Sequence, residues 1–203
     1  MVKAVNSRRY NETPDITDAP ERLPVGGYIL KIMKVEEKTQ DWGDQLIFSF
    51  DIAEGEHKDY FAKQYRSQIV DTGEEKKWKG VYRLNLPKDD GSEQDGWAMR
   101  RYKGAITSFN VSNQGLNIDP LRDWNSQCLV GKLVGAVFFE KEYDFNGRNG
   151  MYTTCHSLRS VSKIRDGDFK IPPAKMLNGS KGITSSTAGF TNASAEDYDD
   201  LPF

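Results

Sequence analysis

Lysine and arginine interleave with aromatic residues repeatedly along this chain. Lys58, Tyr60 and Phe61 lead into Lys63, Tyr65 and Arg66. Lys76, Lys77, Trp78 and Lys79 lead into Tyr82 and Arg83. Arg100, Arg101, Tyr102 and Lys103 follow, and Lys141, Tyr143, Phe145, Arg148 and Tyr152 close the series. Cations pair with phosphates and ring faces stack on unpaired bases, so the combination suits a single nucleic-acid strand held without reading its sequence. Trp42, in the polar turn Thr39–Asp44, is the strongest individual candidate for stacking, followed by Trp78 between its lysines. Tyr82, Tyr143 and Phe145 complete the aromatic set, with Lys77, Lys79, Arg83 and Arg148 as phosphate contacts. Plainer readings exist. Tyr60, Phe61 and Tyr82 on alternating strands belong by default to a core, as does Tyr102 on a helix's apolar face. Arg100, Arg101 and Lys103 also read as a solvated helix face.

The C-terminus carries a second kind of chemistry. Glu196, Asp197, Asp199 and Asp200 run into Leu201-Pro202-Phe203. An acidic run alone solubilises; a terminal aromatic beside it is suited to a receiving pocket. Leu201 and Phe203 can fill an apolar site while Pro202 fixes the backbone between them, and Asp199 and Asp200 can face a basic rim. These residues closely resemble the acidic tip of bacterial and phage single-stranded DNA-binding proteins, which dock partner proteins through it. The preceding stretch, 178–195, is rich in Gly, Ser, Thr and Asn without apolar periodicity, and reads as a flexible linker.

Charge divides accordingly. The chain holds 28 basic and 30 acidic residues, but the terminal eight take four acids and no bases, leaving 28 against 26 before them. That mild balance permits nucleic-acid binding without demanding it.

Catalysis finds little to work with. His57 and His156 are the two histidines; Cys155 and His156 are adjacent, which on a strand sends them to opposite faces and opposes joint metal ligation. Cys128 and Cys155 show no paired-cysteine spacing and fit a reducing cytosol. No phosphate-loop motif is present, and Asp89-Asp90 and Glu74-Glu75 fall in polar turns. The reading is a non-enzyme with no cofactor and no metal. The polar N-terminus has no apolar leader and no run approaches membrane-spanning length, so a cytoplasmic protein is expected, oligomeric state open.

The elements that must position these residues are mostly strands. Tyr28–Glu37 and Gln45–Ala53 flank the Trp42 turn, and Leu46, Phe48, Phe50 and Ile52 alternate toward one side. Asp59–Phe61 reads as a third strand and Trp78–Leu86 as a further extended piece. Ser92 is a helix cap with Asp95 three residues on, and Gln94–Val111 places Ala98, Tyr102, Ala105, Ile106 and Phe109 on one face. Leu129–Tyr143 and Met151–Val161 form a terminal hairpin. The expected organisation is a flexible arm (1–22), a binding domain (23–177), the linker (178–195) and the tip (196–203). Strands, a helix, then a hairpin is the order of the OB-fold, a five-stranded Greek-key barrel with its helix between strands 3 and 4. In that fold the loops joining strands 1–2 and 4–5 flank the binding groove, which puts Trp42 on one flank and Tyr143–Arg148 on the other.

Trp78–Ile106, Leu129–Gly150 and Ile164–Leu177 resemble a family of small proteins from phages of Gram-positive bacteria. Those proteins are encoded near replication and recombination functions and are taken to be single-stranded DNA binders. The likeness spans most of residues 20–177. It implies a phage protein that binds and protects single-stranded DNA in the host cytoplasm. Its tip would recruit host or phage replication, recombination or repair proteins. The alternative is an OB-like adaptor that binds protein without touching DNA.

Overall fold

The structure, a computed structural model, describes residues 3–12, 21–68, 75–145 and 147–177. The linker and the acidic tip, Asp199 to Phe203 included, lie outside the described residues. Within the expected arm, Ser7–Glu12 forms a short helix, α1.

β1 (Gly26–Gln40) is the strand on which both halves of the sheet are built. From Leu30 onward it pairs with β2 (Gly43–Ile52), and from Gly26 to Lys31 with β4 (Leu133–Phe145), antiparallel in both cases. A register shift between Ile32 and Lys34 bends it where it leaves β4 behind. β3 (Val81–Asn85) adds to β2, and β5 (Arg148–Arg159) to β4, giving the order β3-β2-β1-β4-β5. The protein is thus mainly β, built on a five-stranded antiparallel sheet.

The core follows from alternation. Leu46, Phe48, Phe50 and Ile52 of β2 are all buried, as are Leu30 and Ile32 of β1 and Val134, Ala136 and Phe138 of β4. Phe50 meets Phe138 edge-on at 6.0 Å and Phe48 lies 5.8 Å from Phe109. Phe109 comes from α3 (Glu93–Ser112), which buries Ala105, Ile106 and Phe109 on the expected face. Ser92 caps it by accepting from the Asp95 backbone N–H at 3.1 Å. The reciprocal half of a capping box does not form. The Asp95 carboxylate instead accepts from the Lys88 backbone N–H at 2.6 Å and so fixes the incoming loop. At the other end the Asn113 side chain both accepts from and donates to the backbone of Leu133, tying α3 to the start of β4.

The opposite face of β1–β4 is covered by the C-terminal part of the domain. α4 (Val161–Arg165) and Phe169 press on two glycines. A Cβ on Gly27 would sit 2.6 Å from the Phe169 ring, and one on Gly135 would sit 2.5 Å from Ile164. Lys175 then pairs with β4, donating its N–H to Glu140 O and accepting from Glu142 N, both at 2.9 Å.

Two expectations change. Asp59–Phe61 is not a strand: Tyr60–Ser67 is a helix, α2, and the third strand is Val81–Asn85. Asp59 turns the chain at φ 60, and its side chain makes no cap. Asp51, on β2, caps the helix from a distance. Its buried carboxylate accepts from Phe61 N (2.9 Å), Ala62 N (3.0 Å) and Ile52 N (2.8 Å). The aromatic pair that reads as strand is the buried first turn of this helix. The barrel, moreover, is not closed, since no ladder joins β3 to β5 among the described residues. Side chains occupy the seam where backbone pairing would run, with Val81 of β3 facing Tyr152, Thr154 and Cys155 of β5.

Replacing Asp51 by Ala strands those amides beside the core. We expect a loss of about 2–4 kcal/mol in denaturant-midpoint measurements, with Asp51→Asn less severe because it keeps one acceptor oxygen.

Candidate nucleic-acid interface

β3 points Tyr82 and Leu84 into the core and leaves Val81, Arg83 and Asn85 on the other side. Across the open seam, β5 presents Tyr152, Thr154 and Cys155. Between them lies a cleft of about 550 Å³ that gathers Arg83 from β3, Arg101 from α3, Lys141 from β4 and Lys175 from the C-terminal segment. Among the described residues no carboxylate lines it. Glu140 and Glu142, the acids nearest in sequence to Lys141, are engaged elsewhere: Glu140 pairs with Arg22, and Glu142 accepts from the Leu177 N–H at 2.9 Å. Four cations around one cleft without a lining acid make it an attractive place for phosphate.

This central cleft has a neighbour on each side. Toward the start of β3 it adjoins a 260 Å³ cleft that shares Val81, Tyr152, Thr154 and Cys155 with it and adds Arg22 and Lys79 above Phe50, Phe61 and Phe138. Toward the end of β3 it adjoins a 390 Å³ cleft that shares Asn85 and adds Trp42 and Lys88, together with Asp90 and Asp95. The three clefts succeed one another along β3, together called the track.

Sequence-predicted residues fall on and off this track. Arg83 and Lys79 line it directly, and Trp42, 38% exposed, lies at one end. Tyr82 forms part of the wall but is only 6% exposed; its ring stacks on Phe48, and burial raises its hydroxyl pKa well above the ordinary value. Trp78 and Lys79, adjacent in sequence, diverge. Lys79 enters the track, while Trp78 donates its indole N–H to Phe50 O and Gly80 O and faces a separate pocket with Met33 and Tyr65. Lys77 is exposed, its backbone clasped by the Gln68 amide. Phe145 and Arg148 face each other at the tip of the β4–β5 hairpin. Tyr143 is joined to the track through Tyr152, 6.1 Å away between ring centres.

The structure adds residues that the sequence reading does not single out. Arg101 and Lys141 are visible there as charges but not as partners. Lys175 and His156 complete the central cleft. Trp97, 54% exposed with the Arg100 guanidinium 5.3 Å above its ring, stands one helical turn before Arg101. Its position off the apolar face of α3 is the signal that could have found it. Strict alternation puts Cys155 and His156 on opposite faces, yet both line the cleft, because β5 carries a register shift at this point. Among the described residues no three His, Cys, Asp or Glu side chains cluster as a metal ion would require, and no helix is long and apolar enough to cross a membrane.

Tyr143 owes its placement to a glycine. The two are cross-strand partners, and a Cβ on Gly150 would lie 3.0–3.1 Å from the Tyr143 ring. Gly150→Ala, which in an open strand would stabilise slightly, is expected to lose that gain and to cost up to about 1 kcal/mol, because the half-buried Tyr143 ring must move aside. In a Tyr143→Ala background the cost should vanish, as a double-mutant cycle of unfolding energies would show.

The sequence matches no protein-family model and none of the curated proteins.

Proposed function

We propose that this protein binds single-stranded DNA without sequence preference, holding the strand along the open seam between β3 and β5. The observation that carries the reading is the convergence of Arg83, Arg101, Lys141 and Lys175 on one central cleft that no carboxylate lines among the described residues, with an aromatic-bearing cleft beside it at either end. Cations spaced along a track suit successive phosphates, and ring faces beside them suit unpaired bases. A duplex offers no such faces. The strand order, with α3 between β3 and β4, supports a partly open OB barrel, a fold that carries oligonucleotides on its β2–β3 face between loops equivalent to those holding Trp42 and Phe145.

In this reading the acidic tip recruits replication, recombination or repair proteins while the body covers DNA. The resemblance to phage single-stranded DNA-binding proteins supports both halves.

One surface speaks for the adaptor alternative. Met33, 53% exposed, lies with Tyr65 and Trp78 around an apolar pocket of about 410 Å³. Lys31 and Arg66 line that pocket too, and the Lys76 ammonium stands 5.9 Å from the Tyr65 ring centre. Asp51 and Asp59 line it as well, so the patch carries both signs of charge and suits a protein contact better than a run of phosphates.

Fluorescence anisotropy with a labelled poly-dT oligonucleotide tests the proposal. Binding should be salt-sensitive and resist competition by duplex. Arg83→Ala and Arg101→Ala should each weaken it and flatten the salt slope by about 0.7. No binding at low salt, or equal displacement by duplex, would refute it.

A further inference from the structure

Met33 is the odd residue of β1. Ile32 pairs with Phe50 and Lys34 with Ser49, so Met33 has no partner on β2. The shift breaks the alternation of the strand: Met33 and Lys34, neighbours in sequence, are both exposed, and Val35 returns to the core. Met33 stands with Tyr65 of α2 and with Trp78 around the 410 Å³ pocket. The Trp78 indole is tied to Phe50 O and Gly80 O, and the Tyr65 ring lies 5.8 Å from it, both between centres. A pocket built from one adaptable thioether and two rings, one of them fixed, suits an incoming apolar side chain.

The rim of this pocket is more basic than acidic. Lys31 and Arg66 line it and make no ion pair among the described residues. The Lys76 ammonium, beside the Tyr65 ring, also donates to Arg66 O at 2.8 Å. Of the two acids, Asp51 is buried with its carboxylate spent on three amides, which leaves the exposed Asp59. An acidic segment that carries large apolar side chains complements such a surface, and this chain contains one: Glu196, Asp197, Asp199 and Asp200 lead into Leu201-Pro202-Phe203. Its reach suffices. Leu177, the last described residue, is held through its N–H by Glu142 of β4, and Lys31 pairs with Leu133 of the same strand. Leu133 to Glu142 is about 30 Å of strand, and a Gly- and Ser-rich chain as long as residues 178–200 has an r.m.s. span of about 25–30 Å. The track is the poorer seat, because the apolar residues beneath it, Phe50, Phe61 and Phe138, are buried in the core.

We infer that the Met33–Tyr65–Trp78 pocket is the seat of the acidic tip of the same chain, with Leu201 and Phe203 against the thioether and rings, and Asp199 and Asp200 toward Lys31, Arg66 and Lys76. The inference rests on the tip being a docking peptide and not on strand binding, since the seat shares no lining residue with the three clefts of the track. A tip seated there is withheld from other proteins, and a partner must compete for it. The tether sets the terms of that competition. A short flexible linkage holds the tip at an effective concentration on the order of 1 mM, so a seat with an intrinsic Kd of about 0.1 mM is about nine-tenths filled and lowers a partner's apparent affinity about tenfold.

The test is the NMR spectrum of isotope-labelled methionine methyls in the full-length chain, compared with Leu201→Ala/Phe203→Ala. Met33 reports on the seat, Met151 on the track and the exposed Met99 on the α3 surface. The expected result is a Met33 methyl that differs between the two proteins, equally at every protein concentration, with Met99 and Met151 unmoved. In a Lys31→Glu/Arg66→Glu background the tip substitutions should no longer move Met33. A synthetic peptide of residues 196–203 should shift the same methyl in the tip variant, and bind about tenfold more weakly to the intact chain, whose tethered tip competes. A Met33 methyl indifferent to the tip substitutions overturns the inference. Movement of Met151 in its place also overturns it, by putting the tip in the track. So does a Met33 difference that fades on dilution, which assigns the seat to the tip of a second copy. Binding of a dT oligonucleotide by the same samples stands or falls separately.

Discussion

Everything in this molecule depends on how a single long strand is shared. β1 gives its first residues to β4 and the rest to β2, and the bend at Ile32–Lys34 between those pairings curls the sheet around Phe48, Phe50, Phe109 and Phe138. Curling brings the outer strands, β3 and β5, face to face without joining them. Had a ladder closed the seam, backbone hydrogen bonds would fill it; left open, it is filled by side chains, and side chains can recognise something. Asp51 reinforces the arrangement by capping α2 beside Phe61, and Asn113 does so by locking α3 to the start of β4.

The electrostatics of the seam follow from this geometry and not from net charge, which is close to neutral over the body. Arg83, Arg101, Lys141 and Lys175 are contributed by β3, α3, β4 and the C-terminal segment, and the curl makes them neighbours. Nearby acids are turned to structural use: Glu140 to Arg22, Glu142 to a backbone amide, Asp95 to the loop before α3. The result is a cleft whose cations are not offset by a lining carboxylate among the described residues. The bulge that places His156 there continues the same logic, since it costs a regular ladder position and leaves polar atoms unpaired in exchange for one more group facing the cleft.

Much of the scaffold is legible in the sequence because it rests on local periodicity. The alternation of Leu46, Phe48, Phe50 and Ile52, the apolar face of α3 and the β4–β5 hairpin all carry their signal within one element. α2 is not legible, because its cap, Asp51, is supplied by a distant strand and its first turn consists of aromatics that favour strands in isolation. The site is legible as ingredients only. The charges and rings can be counted, but which of them meet is decided by the curl: Trp78 and Lys79 separate, whereas Arg83 and Lys175 converge. Strict alternation puts His156 opposite Cys155, and no local pattern signals a bulge.

The central claim, that the β3–β5 seam is the DNA track, is tested most directly by amide hydrogen exchange with and without saturating dT oligonucleotide. The edges of β3 and β5 carry no ladder to each other among the described residues, so their amides along the seam respond to an occupant. The account predicts added protection in Val81–Asn85, Met151–His156 and residues 172–175, with little change across the α4 face around Gly135. Protection confined to the Met33–Tyr65–Trp78 surface, with the seam unchanged, would contradict it.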